Sequence, residues 1–328
     1  MLIKDIIWSA RHDYLDDAGD VQSSNEWFGG AGAEMAPDLL WQDEELLRHL
    51  NAALNEWCRF VGSIRDHLTP AICKTPILCY QQSYSMDARI IEIHNGYLAS
   101  RWYPPVTVKT ITWLDDNVTG WKTRNGDLLY LLPDYDAGYF QTIYFPSTYL
   151  GYWTGVMQFT GGPQTIVQSG TPGFSPLLKQ GDQFVVTGTT LNGTAANPKT
   201  FTVGSVTATT ITTIETIATE LAASAVIQKV LDTMWLTVSR LPLNQLTTTD
   251  IQASAITSPE IRLEYHPYLV HGILKEAYSK QDSQCLDVEK AKKHSDKFDA
   301  YKLQAKFDKE ASLRGDREET AMPHPGAL

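Results

Sequence analysis

The spacing of apolar residues changes twice along this chain of 328 residues, and that change constrains the fold more than any other feature. Both ends carry apolar residues at the spacing of amphipathic helices. The middle carries short segments rich in branched and aromatic residues, separated by turn signals, as β-strands do. The order of helices, strands and helices predicts an α+β fold.

The strongest helical pattern is DEELLRHLNAALNEWCRF, residues 43–60. Asp43 is expected to cap its N-terminus, and the acids that follow suit the positive end of the helix dipole. An opening segment with Ile3, Ile6 and Ile7 at helical spacing extends the predicted helical region over 1–70. A broad apolar stripe predicts the buried face of the main helix: Leu46, Leu47, Leu50, Ala53, Leu54, Trp57 and Val61.

Strand patterns fill residues 75–158 and return at 233–243. RIIEI, TVKTITWL, LLYLLP and FQTIYF are short and apolar, and Asn-Gly and Pro-Pro pairs mark turns between them. MWLTVSRLPL reads as a later strand that returns to the same sheet. We therefore expect a small antiparallel β-sheet region attached to a helical core.

The composition changes again at about Thr160, where the chain becomes rich in Thr, Gly and Ser and nearly free of charge. Regularly placed apolar residues predict short strands rather than a disordered spacer. We expect residues 159–232 to form an inserted small all-β domain, Ig-like or barrel-like. The helical core then comprises 1–158 and 233–313. The residues that predict the inserted strands are Val185, Val186, Phe201, Val203, Val206, Ile211 and Ile214.

The stretch LEYHPYLVHGILKEAYSKQD opens a second helical region over 266–313. It contains one shorter helix and a long charged helix over 287–313. Residues 314–328 contain Pro and Gly without periodicity, which predicts a flexible C-terminal tail. Six apolar positions are expected to pack on the core or on a neighbouring copy: Leu269, Ile273, Leu274, Tyr278, Phe298 and Tyr301.

The sequence carries no catalytic signature. It lacks HExxH, GxSxG and a P-loop, so we expect no enzyme activity, no cofactor and no metal site. His266 and His271, five residues apart, point to different sides of a helix, so they cannot bind a metal together as histidines at i, i+4 do. His266 precedes Pro267, which suits the first helical position, so we expect His266 at the helix start and His271 at an interface or in solvent. The four cysteines form no CxxC pair, which favours reduced thiols in or near a core. No signal peptide or membrane span is predicted.

Three segments, in order, carry a resemblance to a known family. They are DIIWSARHDYLDD with DEELLRHLNAALNEWCRF, then YSMDARIIEIHNGYL through FQTIYFP, and finally RLPLNQL with SPEIRLEYHPYLVHGILKEAYSKQD and the charged helix after it. The last part has the Arg-x-Pro strand, the Pro-Glu-Ile turn and the Leu-x-x-Ala-Tyr-x-x-x-Asp helix of that family. The chain resembles the head-to-tail adaptor, or connector, proteins of tailed bacteriophages.

The resemblance implies a structural virion protein. Such adaptors form rings, typically of twelve copies, between the capsid portal and the tail or tail nozzle, and they extend the DNA channel. It implies a place at the head-tail junction of the virion, reached from the host cytoplasm, and a genome that passes without specific binding. A net charge of −11 suits that passage because it repels DNA phosphates. The implied portal-docking tail contains Arg314, Arg317, Met322, Pro323, His324 and Leu328.

Other functions stay open at this point. The chain could be another tail or baseplate protein, which would also oligomerise but would bind the tail rather than the portal. The Thr-rich insert departs from the plain family pattern and could bind a glycan or a host surface. A virion-associated cell-wall hydrolase is the remaining alternative, although no matched acid and nucleophile can be read from the sequence.

Overall fold

A computed structural model gives the fold of the chain as two compact units. The first unit contains residues 1–65, 89–92 and 239–328, and the second contains 66–88 and 93–238. Their locations in sequence show that the strand-rich unit is inserted between the two helical ends. The structure describes residues 1–16, 23–29, 40–79, 81–122, 128–143, 151–168, 173–252, 254–281 and 286–320.

The first unit is helical and has its own apolar core. The helix Asp43–Val61 supplies more of that core than any other element. A π-helical turn, Arg11–Leu15, follows the first helix, and two 3₁₀ turns, Thr248–Ile251 and Leu263–Tyr268, precede the C-terminal pair. The α-helices are α1 (Ile3–Ala10), α2 (Ser24–Phe28), α3 (Asp43–Val61), α7 (Leu269–Ala277) and α8 (Val288–Thr320).

Helix α3 confirms the strongest sequence prediction. All seven residues of its predicted stripe are buried, and Gly62 ends the helix in the left-handed conformation (φ 61°), which glycine adopts without a Cβ clash. The predicted cap is displaced by one residue, because Gln42 occupies the N-cap and Asp43 begins the helix. Asp43 instead binds the buried Arg11 guanidinium, with Nη2 2.7 Å from its carboxylate.

The second unit contains a β-sheet that is larger than the one predicted from the sequence. Thirteen strands of the described residues form it: β1 (Ile64–Asp66), β2 (Lys74–Leu78), β3 (Ser83–Ser85), β4 (Ile90–Leu98), β5 (Arg101–Val108), β6 (Tyr130–Asp134), β7 (Tyr139–Ile143), β8 (Tyr152–Thr160), β9 (Thr165–Gln168), β10 (Gln183–Thr187), β11 (Lys199–Val206), β12 (Thr210–Thr213) and β13 (Glu220–Arg240). Their order in the sheet is β10-β11-β12-β9-β8-β13-β4-β5-β6-β7-β3, and β1 and β2 pair with β13 outside this path. The short helices α4 (Pro70–Cys73), α5 (Ile111–Asn117) and α6 (Phe174–Leu177) lie between strands in the chain.

The predicted fold class, a helical core with a small antiparallel sheet and a separate inserted β domain, is therefore wrong. The 21-residue strand β13 pairs with β10 of the Thr-rich segment and also with β8 and β2, so it joins the two predicted strand groups into one sheet. The sheet is also mixed, because β5 and β6 run parallel. The predicted boundaries at 158/159 and 232/233 fall inside β8 and β13. A change in composition does not mark a break in hydrogen bonding, which is why the local pattern misled.

The segment TVKTITWL is a second correction. Its first residues end β5, but its last residues begin helix α5. Thr110 is the N-cap of that helix, and its side-chain oxygen accepts a hydrogen bond from the Trp113 backbone N–H. The branched residues suggested a continuous strand, and the threonine cap was the competing local signal.

Candidate interaction surface on the C-terminal helix

The six predicted packing positions lie in or against the core of the first unit. Leu269, Ile273 and Leu274 on α7, Tyr278 directly after α7 and Phe298 on α8 are buried there. Tyr301 is half-buried and stacks on Tyr268, with ring centroids 3.9 Å apart. These residues therefore pack α7 and α8 against their own chain, so they are not available for contact with a second copy.

Charged residues fix the same helices to α3. Glu56 accepts hydrogen bonds from the ammonium groups of Lys275 and Lys302, and Lys302 also lies 2.7 Å from Asp299. Burial opposes the charge on Glu56, but the hydrogen bonds from the two lysines outweigh it and lower the pKa of Glu56. Lys275 of α7 is thus paired with an acidic side chain of α3.

Two histidines, His271 of α7 and His294 of α8, contact each other where these helices pack. The Nδ1 atoms of His271 and His294 lie 3.0 Å apart, so one ring must donate its N–H to the lone pair of the other. Both rings are buried, and Tyr14 packs edge-on against each of them. The expected location of His271 at an interface or in solvent is wrong, because α8 covers it. Burial lowers the pKa of His271 and, together with His271 and Lys297, lowers that of His294 to about 4.

His266 has a structural role at the start of α7. It lies in the 3₁₀ turn Leu263–Tyr268, close to its predicted position at the helix start, and is buried. Its ring nitrogens lie 3.0 Å from the carbonyl oxygens of Met1 and Ile261. Both ring nitrogens therefore face backbone carbonyl oxygens, and a neutral ring can donate its single N–H to one of the two. Among the described residues no group of three or more His, Cys, Asp or Glu side chains could hold a metal ion.

The solvent side of α8 carries a second apolar stripe. Leu303 and Phe307 are one turn apart, and their exposed fractions are 46% and 60%. Phe307 follows the buried Phe298 by nine residues, which places it about 180° around the helix at 100° per residue. Ala300 and Ala311 are also exposed and continue the row at the spacing of a helical interface. We call these four residues, Ala300, Leu303, Phe307 and Ala311, the outer stripe.

The outer stripe is bordered by charges of both signs. Asp296, Lys297 and Lys306 are near it on the helix surface, and Lys306 also lies 5.2 Å from the centre of the exposed Phe60 ring. An apolar row with a charged border has the composition of a protein interface, where an apolar centre is surrounded by a polar rim. Chemically, this face can bury apolar area against another helix or sheet.

The outer stripe was not found in the sequence. Phe298 and Tyr301 are the residues of the long helix that the sequence predicts to pack, and Leu303 and Phe307 are not among them. Their i, i+4 spacing was the available signal. It becomes informative once the structure shows that the opposite face of the same helix is already buried.

The predicted portal-docking tail begins inside α8. The helix ends at Thr320 rather than at residue 313, so Arg314 and Arg317 are part of it. The Glu and Arg residues of this segment favour helix, and its single Gly315 costs only about 1 kcal/mol. The predicted start of a flexible tail at 314 is therefore too early. Met322, Pro323, His324 and Leu328 lie outside the described residues.

Comparison with known proteins adds no assignment. No protein-family model matches the chain, and no curated protein is similar to it. In the part of the chain that the structure describes, no helix combines the length and apolar character needed to cross a membrane.

Proposed function

We propose that this chain is a structural protein of a tailed-bacteriophage particle. In this proposal it forms a ring, typically of twelve copies, at the head-tail junction, joins the portal to a tail or nozzle protein and extends the DNA channel. It would assemble from the host cytoplasm into the virion and would act without enzyme activity or cofactor.

The observation that carries the proposal is the outer stripe on α8. In a ring each subunit makes the same contact with its next neighbour, and this contact repeats from copy to copy until the ring closes. Helix α8 has 33 residues, about 50 Å of helix, and is fixed to its own unit through Phe298 while Leu303 and Phe307 face solvent. A long helix with two apolar faces on opposite sides suits a position between its own core and a second copy.

The charge of the chain supports the channel part of the proposal. With 38 acidic and 27 basic residues, an assembled ring would present a net negative surface to the genome. Phosphates would be repelled over a distance of about one Debye length, about 8 Å at physiological ionic strength. DNA could then slide through without being retained.

The experiment that tests the proposal is cryo-electron microscopy of the native particle that contains this chain. We expect a ring between portal and tail, with α8 at the contact between subunits. The C-terminal residues 314–328 should run along the portal. A location at the tail tip, or a monomer seated without neighbours, would contradict it.

A further inference from the structure

A basic pocket lies at the point where α3 ends, within the first unit. Its volume is about 200 Å³, and it contains no acidic side chain in its described lining. The polar side chains that line it are Ser63, Arg65, Arg262, Tyr265, Lys309 and Ser312. Three of them are cations, and the two arginines are exposed, so the pocket offers several positive donors to a ligand from solvent.

The position of Lys309 follows from the end of α3. Its ammonium group donates to the carbonyl oxygens of Gly62 at 2.6 Å and Val61 at 3.2 Å, which a C-terminal helix turn leaves without intrahelical partners. Gly62 carries the chain away in the left-handed conformation, and Ser63 and Arg65 follow directly. The pocket is therefore built on a helix end that is fixed by Lys309 itself.

The positive charge of the pocket is only partly compensated. Arg65 has no carboxylate within 4.0 Å among the described residues, and Arg262 lies 3.4 Å from the exposed carboxylate of Glu264. Burial lowers the pKa of Lys309, the charges of Glu92 and Glu310 oppose this shift, and those of Arg65 and Lys306 add to it. Carboxylates therefore act on Arg262 and Lys309, and Arg65 contributes the least compensated positive charge of the pocket.

We propose that this pocket binds a phosphate group. Two guanidinium groups can each donate a pair of hydrogen bonds to phosphate oxygens, and Lys309 adds a point charge. The hydroxyls of Ser63 and Ser312 can donate to the remaining oxygens. A carboxylate is planar and has only two oxygens, so it would leave some of these donors unused. This inference does not depend on the proposed assembly function.

The test is calorimetric titration of the full chain with inorganic phosphate at constant ionic strength. Arg65→Gln and Arg262→Gln each remove a charge-assisted contact, so we expect phosphate to bind each variant about ten-fold more weakly than the unchanged chain. Arg48→Gln is the matched control, because Arg48 is an exposed arginine of α3 that does not line the pocket. It should leave the affinity unchanged.

Thermal unfolding without phosphate separates binding from folding. Arg65 and Arg262 are exposed, so their variants should melt as the unchanged chain does. No binding of phosphate to the unchanged chain, or equal binding to all variants, would overturn the proposal. An effect of the two substitutions on self-association, with no phosphate binding, would also overturn it and would assign the pocket to an acidic side chain of a second copy.

A second titration distinguishes the possible sources of the phosphate group. A short duplex DNA is added in place of inorganic phosphate, with the same three variants. Weaker binding of both probes to Arg65→Gln and Arg262→Gln would support the site and assign it to a nucleic-acid backbone. Binding of inorganic phosphate alone would support the site and assign it to a free or terminal phosphate. Binding of DNA that no substitution weakens, without phosphate binding, would contradict the proposal.

Discussion

Gly272 on α7 lies so close to Ala53 on α3 that a Cβ at position 272 would be 2.5 Å from the Ala53 Cβ. The same Cβ would be 3.1 Å from the ring of Phe298 on α8. Three helices therefore converge at one residue that has no side chain. The close approach lets α7 fill the space between α3 and α8, and it allows Ile273 and Leu274 to be fully buried.

We expect Gly272→Ala to destabilise the first unit by about 1–3 kcal/mol. Alanine favours helix over glycine by up to about 1 kcal/mol, but the clash with backbone-anchored Ala53 requires α7 to shift. Chemical denaturation monitored by circular dichroism measures the difference. Gly162→Ala is the control, because a Cβ there meets no atom within 4 Å, and its effect should stay within about 0.5 kcal/mol. An unchanged or higher midpoint for Gly272→Ala would contradict the convergence.

The buried pair of His271 and His294 predicts that stability falls in acid. The pKa of His294 is lowered from 6.5 to about 4 in the folded chain, so between these values the unfolded chain binds more protons. The contribution of this pair to the free energy of unfolding should therefore be fully present above pH 6.5 and should be lost as the pH falls toward 4. Protonation would place two cations on facing nitrogens beside Lys297.

Unfolding curves at a series of pH values between 7 and 4 measure this effect, in steps of about half a unit, across the interval in which histidine titrates. His294→Gln removes the titrating group, and its unfolding free energy should depend less on pH in that interval. His12→Gln is the control, because His12 is exposed. If both variants keep the slope of the unchanged chain, the pair does not contribute to acid sensitivity.

The ion pairs of Glu56 with Lys275 and Lys302 predict that the chain loses stability when Glu56 is replaced. Glu56→Gln leaves the largely buried Lys302 without one of its two carboxylates, so we expect a loss of about 1–2 kcal/mol, reduced from the value for a fully buried pair because Glu56 is partly exposed. The double variant Glu56→Gln/Lys302→Met should lose less than the two single changes added together. Urea unfolding of all four chains measures the coupling, and strict additivity would show that the two side chains act independently.

The helices near the two ends of the chain were predictable because the residue pattern that specifies a helix lies within the helix itself. In α3 the positions of Leu46, Leu50 and Trp57 follow directly from a period of 3.6 residues, and Gly62 marks the end by its conformation. The helix against which another helix packs was harder to predict. Nothing in a periodicity shows that His271 will meet His294, since the two lie on different helices and their contact depends on how α7 and α8 pack.

The sheet could not be predicted from the same kind of pattern. Val185 and Val203 were recognised as strand residues and are buried, yet the sequence placed them in a separate domain. Their strands join the main sheet through β13, in which Val226 pairs with Thr154 while Val230 pairs with Leu78. Such pairings connect residues far apart in the chain, and alternation of apolar residues does not specify a partner strand.

The outer stripe predicts how subunits associate. Leu303→Ser with Phe307→Ser removes the two large apolar side chains from the solvent face of α8, where they contribute little to the fold of an isolated chain. We expect the double variant to keep its thermal midpoint within about 2 °C and to lose self-association at concentrations where the unchanged chain assembles. Leu286→Ser with Val288→Ser is the matched control, because these residues are equally exposed but precede the stripe. Analytical ultracentrifugation, with and without portal particles, measures the outcome. Equal assembly of both double variants would show that the outer stripe is not the contact between copies.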